Sequence, residues 1–377
     1  MKTFVYLPVF LLLSFYSFSQ DNVSIQLHGS ATYAGIEVGS KGVKMSIIEM
    51  SAIGAKNGSF KIIKDTSVNT DFISFNSETF KNTYKGLLGL FNSALLGYRI
   101  PSDRIFTVFS SGVKVVADRE NKTEWLKNMA DSFRKSINEP AREMKAIDVL
   151  DEARLSHLGI VPISKRYTTF LIDIGSGNTK GGYFPSGNVK DFKLFQLTWG
   201  TKSIANATEK RTEDDKSIGN YYKQMQRVLS GQADEEITYA VNYSGAYNMS
   251  DNIAFSGGIV WATATLVYPE LVESPVVSVT YNEVLRLNQK IYTQYKSLSD
   301  SALLKIIQDK SVNPDIVRAE IDKVNKVFDQ KALLSGTGLL LKIMRQFAGV
   351  TEQKKFYLVK NGQVGWISAY VNQMLNP

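Results

Sequence analysis

The chain has 377 residues, of which 44% are hydrophobic and 21% charged, and its formal net charge is +8. These values exclude a disordered chain and leave room for two medium-sized domains. Cysteine is absent and the only histidines are His28 and His157, which excludes disulfides, thiolate zinc sites and multi-histidine metal sites. A bound metal should therefore be a hard cation on oxygen ligands. The positive charge favours a polyanionic ligand or reflects solubility alone, and no basic run resembles a nucleic-acid-binding arm.

The first residues, 1–19, are predicted to form a secretory signal peptide. Lys2 supplies a positive charge, Phe4–Phe15 is apolar but short for a membrane span, and Ser17–Ser19 offers small residues for cleavage near Gln20. An uncleaved anchor is the alternative. Because no later segment reaches transmembrane length, we expect an exported protein, periplasmic or secreted, with no stable membrane insertion after cleavage.

The first half of the remaining chain alternates between strand and helix patterns. A strand, a glycine turn and a second strand span residues 31–49. The predicted elements that follow are short strands or loops at Ser59–Ile63 and Val68–Phe75, a helix at Ser77–Leu96, a strand at Ile105–Ser110, a helix at Thr123–Ile137, a strand at Ala146–Val149 and a helix at Asp151–Leu158. This order predicts one α/β unit, which we assign to residues 28–160.

The same order begins again in a second unit, assigned to residues 166–350. The predicted elements are strands at Tyr167–Ile174, Gly181–Phe184 and Lys193–Thr198, a helix from Gly200, a helix at Glu213–Leu229, a strand at Asn252–Ser256, helices at Tyr281–Ser297, Ser301–Asp309 and Pro314–Asn325, and a helix to Phe347 that follows a glycine turn at Gly336–Gly338.

The last segment, residues 351–377, is predicted to contain a hairpin and a helix that pack back near the domain interface. Strand-like runs at Phe356–Val359 and Val364–Ile367 flank Asn361-Gly362, a dipeptide that favours a tight hairpin turn.

Two glycine loops take the same position in the two units. Gly35–Lys44 and Leu171–Lys180 each contain an apolar strand, a carboxylate, Gly-Ser and a second strand. The acids, Glu37 and Asp173, end their strands, where a hydrated divalent cation could be held, and the glycines allow backbone N–H groups to turn toward an oxyanion. Two such loops predict an α/β fold of duplicated ribonuclease-H-like (actin-like ATPase) domains with an interdomain cleft.

A more specific pattern lies outside the loops. Val149–Leu155 reads Val-Leu-Asp-Glu-Ala-Arg-Leu, and Leu197–Thr201 and Ser256–Gly258 form further turns. Together with the loops and with Phe106–Trp125, these segments resemble the Ppx/GppA family of exopolyphosphatases and guanosine-pentaphosphate phosphatases, in the actin, sugar kinase and Hsp70 superfamily. The Asp-Glu-Ala-Arg-Leu run is the most family-specific signal, because the glycine loops fit the whole superfamily.

The resemblance implies a site for phosphoanhydride hydrolysis. It makes Glu152 the candidate for activating the attacking water, with Asp151 beside it, and Lys114 the nearest candidate for a family arginine. Glu37 and Asp173 would approach magnesium, or manganese in its place. The phosphate oxygens would be held by Gly39, Ser40, Lys41, Gly42, Gly175, Ser176, Gly177, Asn178, Thr179, Gly257 and Gly258. The ordinary alternative for the two adjacent acids is that a helix dipole favours acids in the first turn.

The chain departs from the family pattern at several positions. Glu37 replaces the usual aspartate, Lys41 an asparagine, Gly42 a serine, Lys44 an arginine, and Lys180 the glutamate that ends the second loop.

We therefore expect an exported, magnesium-dependent hydrolase that releases phosphate from polyphosphate or nucleotide polyphosphates and binds no nucleic acid; a homodimer is left open. One alternative is an apyrase-like nucleoside triphosphate diphosphohydrolase. The other is a catalytically degenerate member that binds a phosphorylated ligand or a protein. Lys180 suggests it, as does the lack of a clean counterpart for the family arginine to which Lys114 is the nearest candidate.

Overall fold

A computed structural model describes residues 30–40, 42–51, 61–348, 352–360 and 365–375. The predicted signal peptide, Lys41 and the Asn361-Gly362 turn lie outside these residues. Across the described ranges, no helix combines the length and apolar character that crossing a bilayer requires.

The first unit is built on a five-stranded sheet in the order β3-β2-β1-β4-β5. The strands are β1 (Ser30–Val38), β2 (Gly42–Ser51), β3 (Lys61–Asn69), β4 (Ile105–Phe109) and β5 (Met144–Ala146). The first three pair antiparallel, and β4 joins β1 in parallel. The helices are α1 (Ser77–Asn92), α2 (Ser111–Arg119), α3 (Thr123–Ser136) and α4 (Val149–Ile160). An apolar core forms where α1 packs on β2 and α3.

The second unit repeats this plan on a six-stranded sheet in the order β10-β11-β9-β6-β7-β8. The strands are β6 (Thr169–Ile174), β7 (Thr179–Tyr183), β8 (Lys193–Leu197), β9 (Asn252–Ser256), β10 (Val276–Val279) and β11 (Lys355–Val359). Again three consecutive strands pair antiparallel, and a later strand, β9, joins the first of them in parallel. The predicted duplicated α/β fold is confirmed by this repetition.

Helices of the second unit surround its sheet and bury the largest apolar core of the described chain. They are α5 (Thr201–Thr212), α6 (Ile218–Ser230), α7 (Gln232–Ser244), α8 (Ala246–Met249), α9 (Gly258–Val267), α10 (Tyr281–Thr293), α11 (Asp300–Leu304), α12 (Pro314–Val327) and α13 (Gln330–Arg345). The sequence patterns did not predict the helices α2, α7, α8 and α9 or the strand β10.

Two helices connect the units. α4 packs on β7 of the second sheet and on α14 (Gly365–Leu375), and α14 packs in turn on β1 of the first sheet. The two helices are in backbone contact, because a Cβ atom added to Gly159 would lie 2.0 Å from the carbonyl oxygen of Gly365. This close crossing fixes how the sheets approach each other, and it places the C-terminal helix near the interface.

The predicted C-terminal hairpin is wrong at its second strand. Residues 365–367 begin α14 instead, because Trp366, Ile367 and Val371 are buried at helical spacing. The first predicted strand is present as β11, but it pairs with β9 and β10.

The predicted glycine turn at Gly336–Gly338 is also wrong, since these residues lie inside α13. A Cβ atom on Gly336 would lie 2.4 Å from the side chain of Ile259 and 2.5 Å from that of Thr201. Here glycine allows helices to pack closely rather than the chain to turn.

Candidate active site

Glu152 lies at the junction of the two units. It lies in the first turn of α4. Asp148 caps the N-terminus of this helix, because its side chain accepts a hydrogen bond from the amide of Asp151 at 2.7 Å. The Glu152 residue is only 3% exposed. Its Oε2 accepts a hydrogen bond from the amide of Ser111 at 2.7 Å, and its Oε1 lies 2.6 Å from Nζ of Lys180. Since Ser111 begins α2 and Lys180 lies on β7, Glu152 connects one element of each unit.

The ammonium group of Lys180 lies among acidic side chains. Lys180 is 8% exposed, and its Nζ also donates to Oγ of Ser111 at 3.3 Å. In the β6–β7 pair it directly faces Asp173, so the two side chains share one face of the sheet. Burial acts to lower the pKa of Lys180, but Glu152, Asp173 and Glu37 outweigh it and raise the pKa above its usual value. Lys180 is therefore cationic at neutral pH.

Glu152 is correspondingly ionised. Burial acts to raise the pKa of its carboxyl group, but the charge of Lys180 and the hydrogen bonds from Lys180 and Ser111 more than offset burial, so the pKa is lowered. A buried carboxylate with these partners is a fixed anion rather than a strong base.

Glu37 adds a second buried acid from the other unit. It lies on β1 directly opposite Lys44 of β2, and its Oε2 accepts a hydrogen bond from Nε1 of Trp366 at 3.2 Å. Burial raises the pKa of Glu37, and the negative charge of Glu152 adds to the rise, while Lys44 and Lys180 act against it.

Asp173 completes the acidic set from the end of β6. Its Oδ1 accepts a hydrogen bond from Oγ of Ser256 at 2.8 Å, its neighbour on the parallel strand β9. The structure thus gathers three predicted site residues, Glu37, Glu152 and Asp173, around Lys180. We refer to these four side chains as the acid–lysine cluster.

The first glycine loop is a tight turn with little room for a side chain. The amide of Gly39 donates to the carbonyl oxygen of Gly42 at 2.8 Å, so this amide is used within the turn. A Cβ atom on Gly42 would lie 2.5 Å from the carbonyl oxygen of Val68. Ser40 is half-buried next to Gly112 of α2. Lys41 lies outside the described residues.

The second glycine loop presents an open tip. The amide of Gly175 donates to the carbonyl oxygen of Asn178 at 3.0 Å, which closes the turn. Ser176 and Gly177, between them, are exposed, while Asn178 is half-buried. A Cβ atom on Gly177 would meet nothing within 4 Å. The loop tip is therefore the part of this loop that can approach a ligand.

The base of the second loop is fixed to neighbouring elements. Thr179 is fully buried and donates from Oγ1 to the carbonyl oxygen of Trp199 at 2.7 Å. The amide of Lys202, in the first turn of α5, donates to the carbonyl oxygen of Ser176 at 2.7 Å. Thr179 was predicted to hold phosphate, but its hydroxyl group is committed to the protein itself.

The predicted turn at Gly257 and Gly258 brings α9 against the end of β6. Gly257 has a φ of 106°, and a Cβ atom there would lie 2.2 Å from the carbonyl oxygen of Ile174. Glycine is needed at this position for both reasons, and Gly258 begins the helix.

Two predicted catalytic residues lie apart from the acid–lysine cluster. The side chain of Asp151 is 49% exposed and lies 3.5 Å from Arg154 of the same helix. Lys114 is also half-exposed, and its Nζ lies 2.8 Å from Oδ2 of Asp118, one turn further along α2. Both form local surface pairs, because helical spacing places an opposite charge within reach.

Sequence reasoning missed three polar contacts of the cluster, from Ser111, Ser256 and Trp366. Ser256 stood in a glycine turn that the sequence singled out, and Ser111 begins a helix that the sequence did not predict. Trp366 comes from the far end of the chain, and no local pattern could connect it with Glu37.

The predicted magnesium ion stays a prediction, and the described side chains do not fit it as they stand. Among the described residues, no group of three or more histidine, aspartate and glutamate side chains is placed to hold a metal ion. Both oxygens of Glu152 have partners, Glu37 accepts from Trp366, and the charge between the acids is that of Lys180. No step is therefore derived through a metal ion.

The sequence matches no protein-family model and no curated protein. Solved structures with the same arrangement do exist. One is the Ppx/GppA family member of Aquifex aeolicus, which is 14% identical with a TM-score of 0.62, over 92% of this chain and 98% of that chain. The chain has the Ppx/GppA fold.

Two further structures support this result. An exopolyphosphatase-like protein is 15% identical with a TM-score of 0.62, and an exopolyphosphatase from Cytophaga hutchinsonii is 12% identical with a TM-score of 0.57. Each alignment covers 92% of this chain and 98% of the matched chain. The resemblance found in the sequence is thus supported by the fold over nearly its full length.

Proposed function

We propose that the cleft hydrolyses phosphoanhydride bonds of polyphosphate or of a nucleotide polyphosphate, and that Glu152 orients the attacking water. The observation that carries the proposal is the position of Glu152. It is an ionised, buried carboxylate at the junction of the two units, held by Ser111 and Lys180.

The lowered pKa of Glu152 is compatible with this role. Phosphoryl transfer passes through a loose transition state, so positioning and charge stabilisation matter more than a strong base. The water oxygen would attack the terminal phosphorus, the bond to the bridging oxygen would break, and the water proton would pass to Glu152 and then to solvent. The shortened polyphosphate or nucleotide would leave with the bridging oxygen and the electron pair of the broken bond, and the terminal phosphorus would be released as phosphate that carries the water oxygen.

Two features would stabilise the phosphoryl group. The ammonium group of Lys180 lies next to Glu152 and would attract the equatorial oxygens. The exposed loop tip at Ser176 and Gly177 would offer backbone N–H groups to the same oxygens. The net charge of +8 would favour approach of a polyanion such as polyphosphate.

The proposal includes export, which rests on the N-terminal sequence. A periplasmic or secreted hydrolase of this kind would release phosphate from polyphosphate outside the cytoplasm.

A second candidate function is binding of a phosphorylated ligand without hydrolysis. The Lys180–Glu152 ion pair favours it, since one oxygen of Glu152 faces an ammonium group at 2.6 Å and the other accepts an amide. In that case Glu152 would be structural, and a water molecule would have no free base.

Phosphate release distinguishes the two candidates. The purified chain without its signal peptide is assayed with long-chain polyphosphate, ATP and GTP, in buffer with magnesium, with manganese and with a chelator. We expect release from at least one substrate, a loss of about a hundredfold or more in E152Q, and near wild-type release in D151N, which removes the neighbouring exposed charge. Ligand binding without release in any of these buffers would refute hydrolysis and leave the second candidate.

A further inference from the structure

We propose that the Lys180 ammonium group is the built-in cation of this cleft and takes the place of a divalent metal ion among Glu37, Glu152 and Asp173. The cleft would then bind no divalent metal of its own. The inference rests on the proposed function for the role of the cleft, but its test measures metal binding and requires no turnover.

The contacts of Lys180 place its ammonium group among oxygen atoms. An ammonium group has three N–H donors, and two of them are assigned, to Oε1 of Glu152 and to Oγ of Ser111. Asp173 lies directly across the β6–β7 pair, on the same face. The group is therefore buried among oxygen atoms, which is the surrounding that a hard divalent cation would otherwise need.

The strand register pairs an acid with a lysine in both units. In the first unit Glu37 directly faces Lys44, and in the second unit Asp173 directly faces Lys180. In both units, therefore, the acid that ends the first strand meets a lysine on the next strand. Each acid already has a cation that is covalently part of the chain.

The charges of the two lysines oppose a divalent cation in the cleft. Three carboxylates face two ammonium groups, so the five side chains sum to −1 when all are ionised. A divalent cation would have to enter against both lysines, and it would compete with Lys180 for the oxygen of Glu152. The ammonium group of Lys180 therefore balances negative charge of the acids and repels an incoming divalent cation.

Lys180 also connects the two units, which a metal ion in the same place would do. Its strand belongs to the second sheet, Ser111 belongs to the first unit, and Glu152 lies in the first turn of the helix between them. The lysine thus supplies both the charge and the cross-connection.

Manganese binding tests the inference on the folded chain. Mn²⁺ is titrated into wild type, K180E, K180Q and K114E, and free Mn²⁺ is measured by electron paramagnetic resonance. K114E is the matched control, because it makes the same change of charge on the exposed Lys114–Asp118 pair. Circular dichroism establishes that each variant is folded.

We expect wild type and K114E to bind no stoichiometric Mn²⁺, and K180E to bind one ion at least tenfold more tightly than wild type. K180Q, which removes the cation and adds no charge, provides the comparison if K180E does not fold, and it too should gain affinity over wild type. One tightly bound Mn²⁺ in wild type that D173N removes would overturn the inference, as would a folded K180E and K180Q without gain. If wild type binds no Mn²⁺ and also releases no phosphate, the proposed hydrolysis fails while the built-in cation stands.

Discussion

The ion pair between Lys180 and Glu152 gives the sharpest prediction about stability. Replacing Lys180 with methionine keeps an unbranched apolar stem and removes the terminal ammonium group, which leaves the buried Glu152 carboxylate without its cation. Breaking a buried ion pair by removing one partner costs about 3–5 kcal/mol of unfolding free energy. The 2.6 Å contact, with both residues less than a tenth exposed, places K180M in that range. The value is measured by urea unfolding at pH 7.

The double variant E152Q/K180M provides the control for this prediction. With both charges removed, no unpaired buried anion remains, so most of the unfolding free energy lost in K180M should be recovered. E152Q alone should cost less than K180M, because Asp173 and Glu37 still face the ammonium group. A K180M variant within about 1 kcal/mol of wild type would refute a buried ion pair of this strength, and so would a double variant whose loss equals the sum of the two single losses.

The pH dependence of the same variant follows from the pKa shifts. The lowered pKa of Glu152 means that the pair stabilises the fold above the unfolded value of 4.5 and loses this contribution as the pH falls through the folded value. The raised pKa of Lys180 means that the contribution is complete below 10.5 and is lost as the pH rises through the folded value. The difference between wild type and K180M should therefore shrink in acid and in strong base.

Two further predictions concern the helices that connect the units. G159A should destabilise the fold, because a Cβ atom would lie 2.0 Å from the carbonyl oxygen of Gly365. The matched variant G89A, in an open helical position, should stabilise the fold by about 0.5–1 kcal/mol. Equal unfolding midpoints for G159A and G89A would contradict the close crossing. Burial lowers the pKa of His157 to about 4 from 6.5, and its Nε2 donates to the carbonyl oxygen of Thr169 at 2.9 Å. Since the unfolded chain binds the proton first, wild type should lose about 3 kcal/mol relative to H157Q as the pH falls from 6.5 to 4; parallel pH profiles in urea unfolding would refute a buried neutral histidine.

The sequence predicted the features that depend on local pattern. Both glycine loops, with Glu37 and Asp173 at the strand ends, follow from alternating strands around Gly-Ser, and the structure confirms the duplicated sheets. Glu152 was found through its Asp-Glu-Ala-Arg-Leu run. The resemblance made Glu152 the first candidate and kept its neighbour Asp151 beside it, because two adjacent acids on a helix do not show which one faces the interior. The structure buries Glu152 and exposes Asp151.

The features that the sequence did not predict depend on contacts between distant segments. Lys180 was identified as a departure from the family pattern, but only the β6–β7 register shows that it faces Asp173, and only the packing of α4 shows that it meets Glu152. Trp366 reaches Glu37 because α14 crosses α4 at paired glycines. Gly336 lies within α13 for a similar reason at a different contact, because it allows close packing against Ile259 and Thr201.

Under the proposed mechanism, Glu152 orients water for phosphoanhydride hydrolysis in a cleft whose cation is Lys180. The most direct test of this mechanism is the rate of phosphate release from long-chain polyphosphate by wild type and E152Q, both with a metal chelator present. Wild type should continue to release phosphate, and E152Q should be slower by about a hundredfold or more. Equal rates for the two proteins, or no release by the folded wild type, would contradict this mechanism.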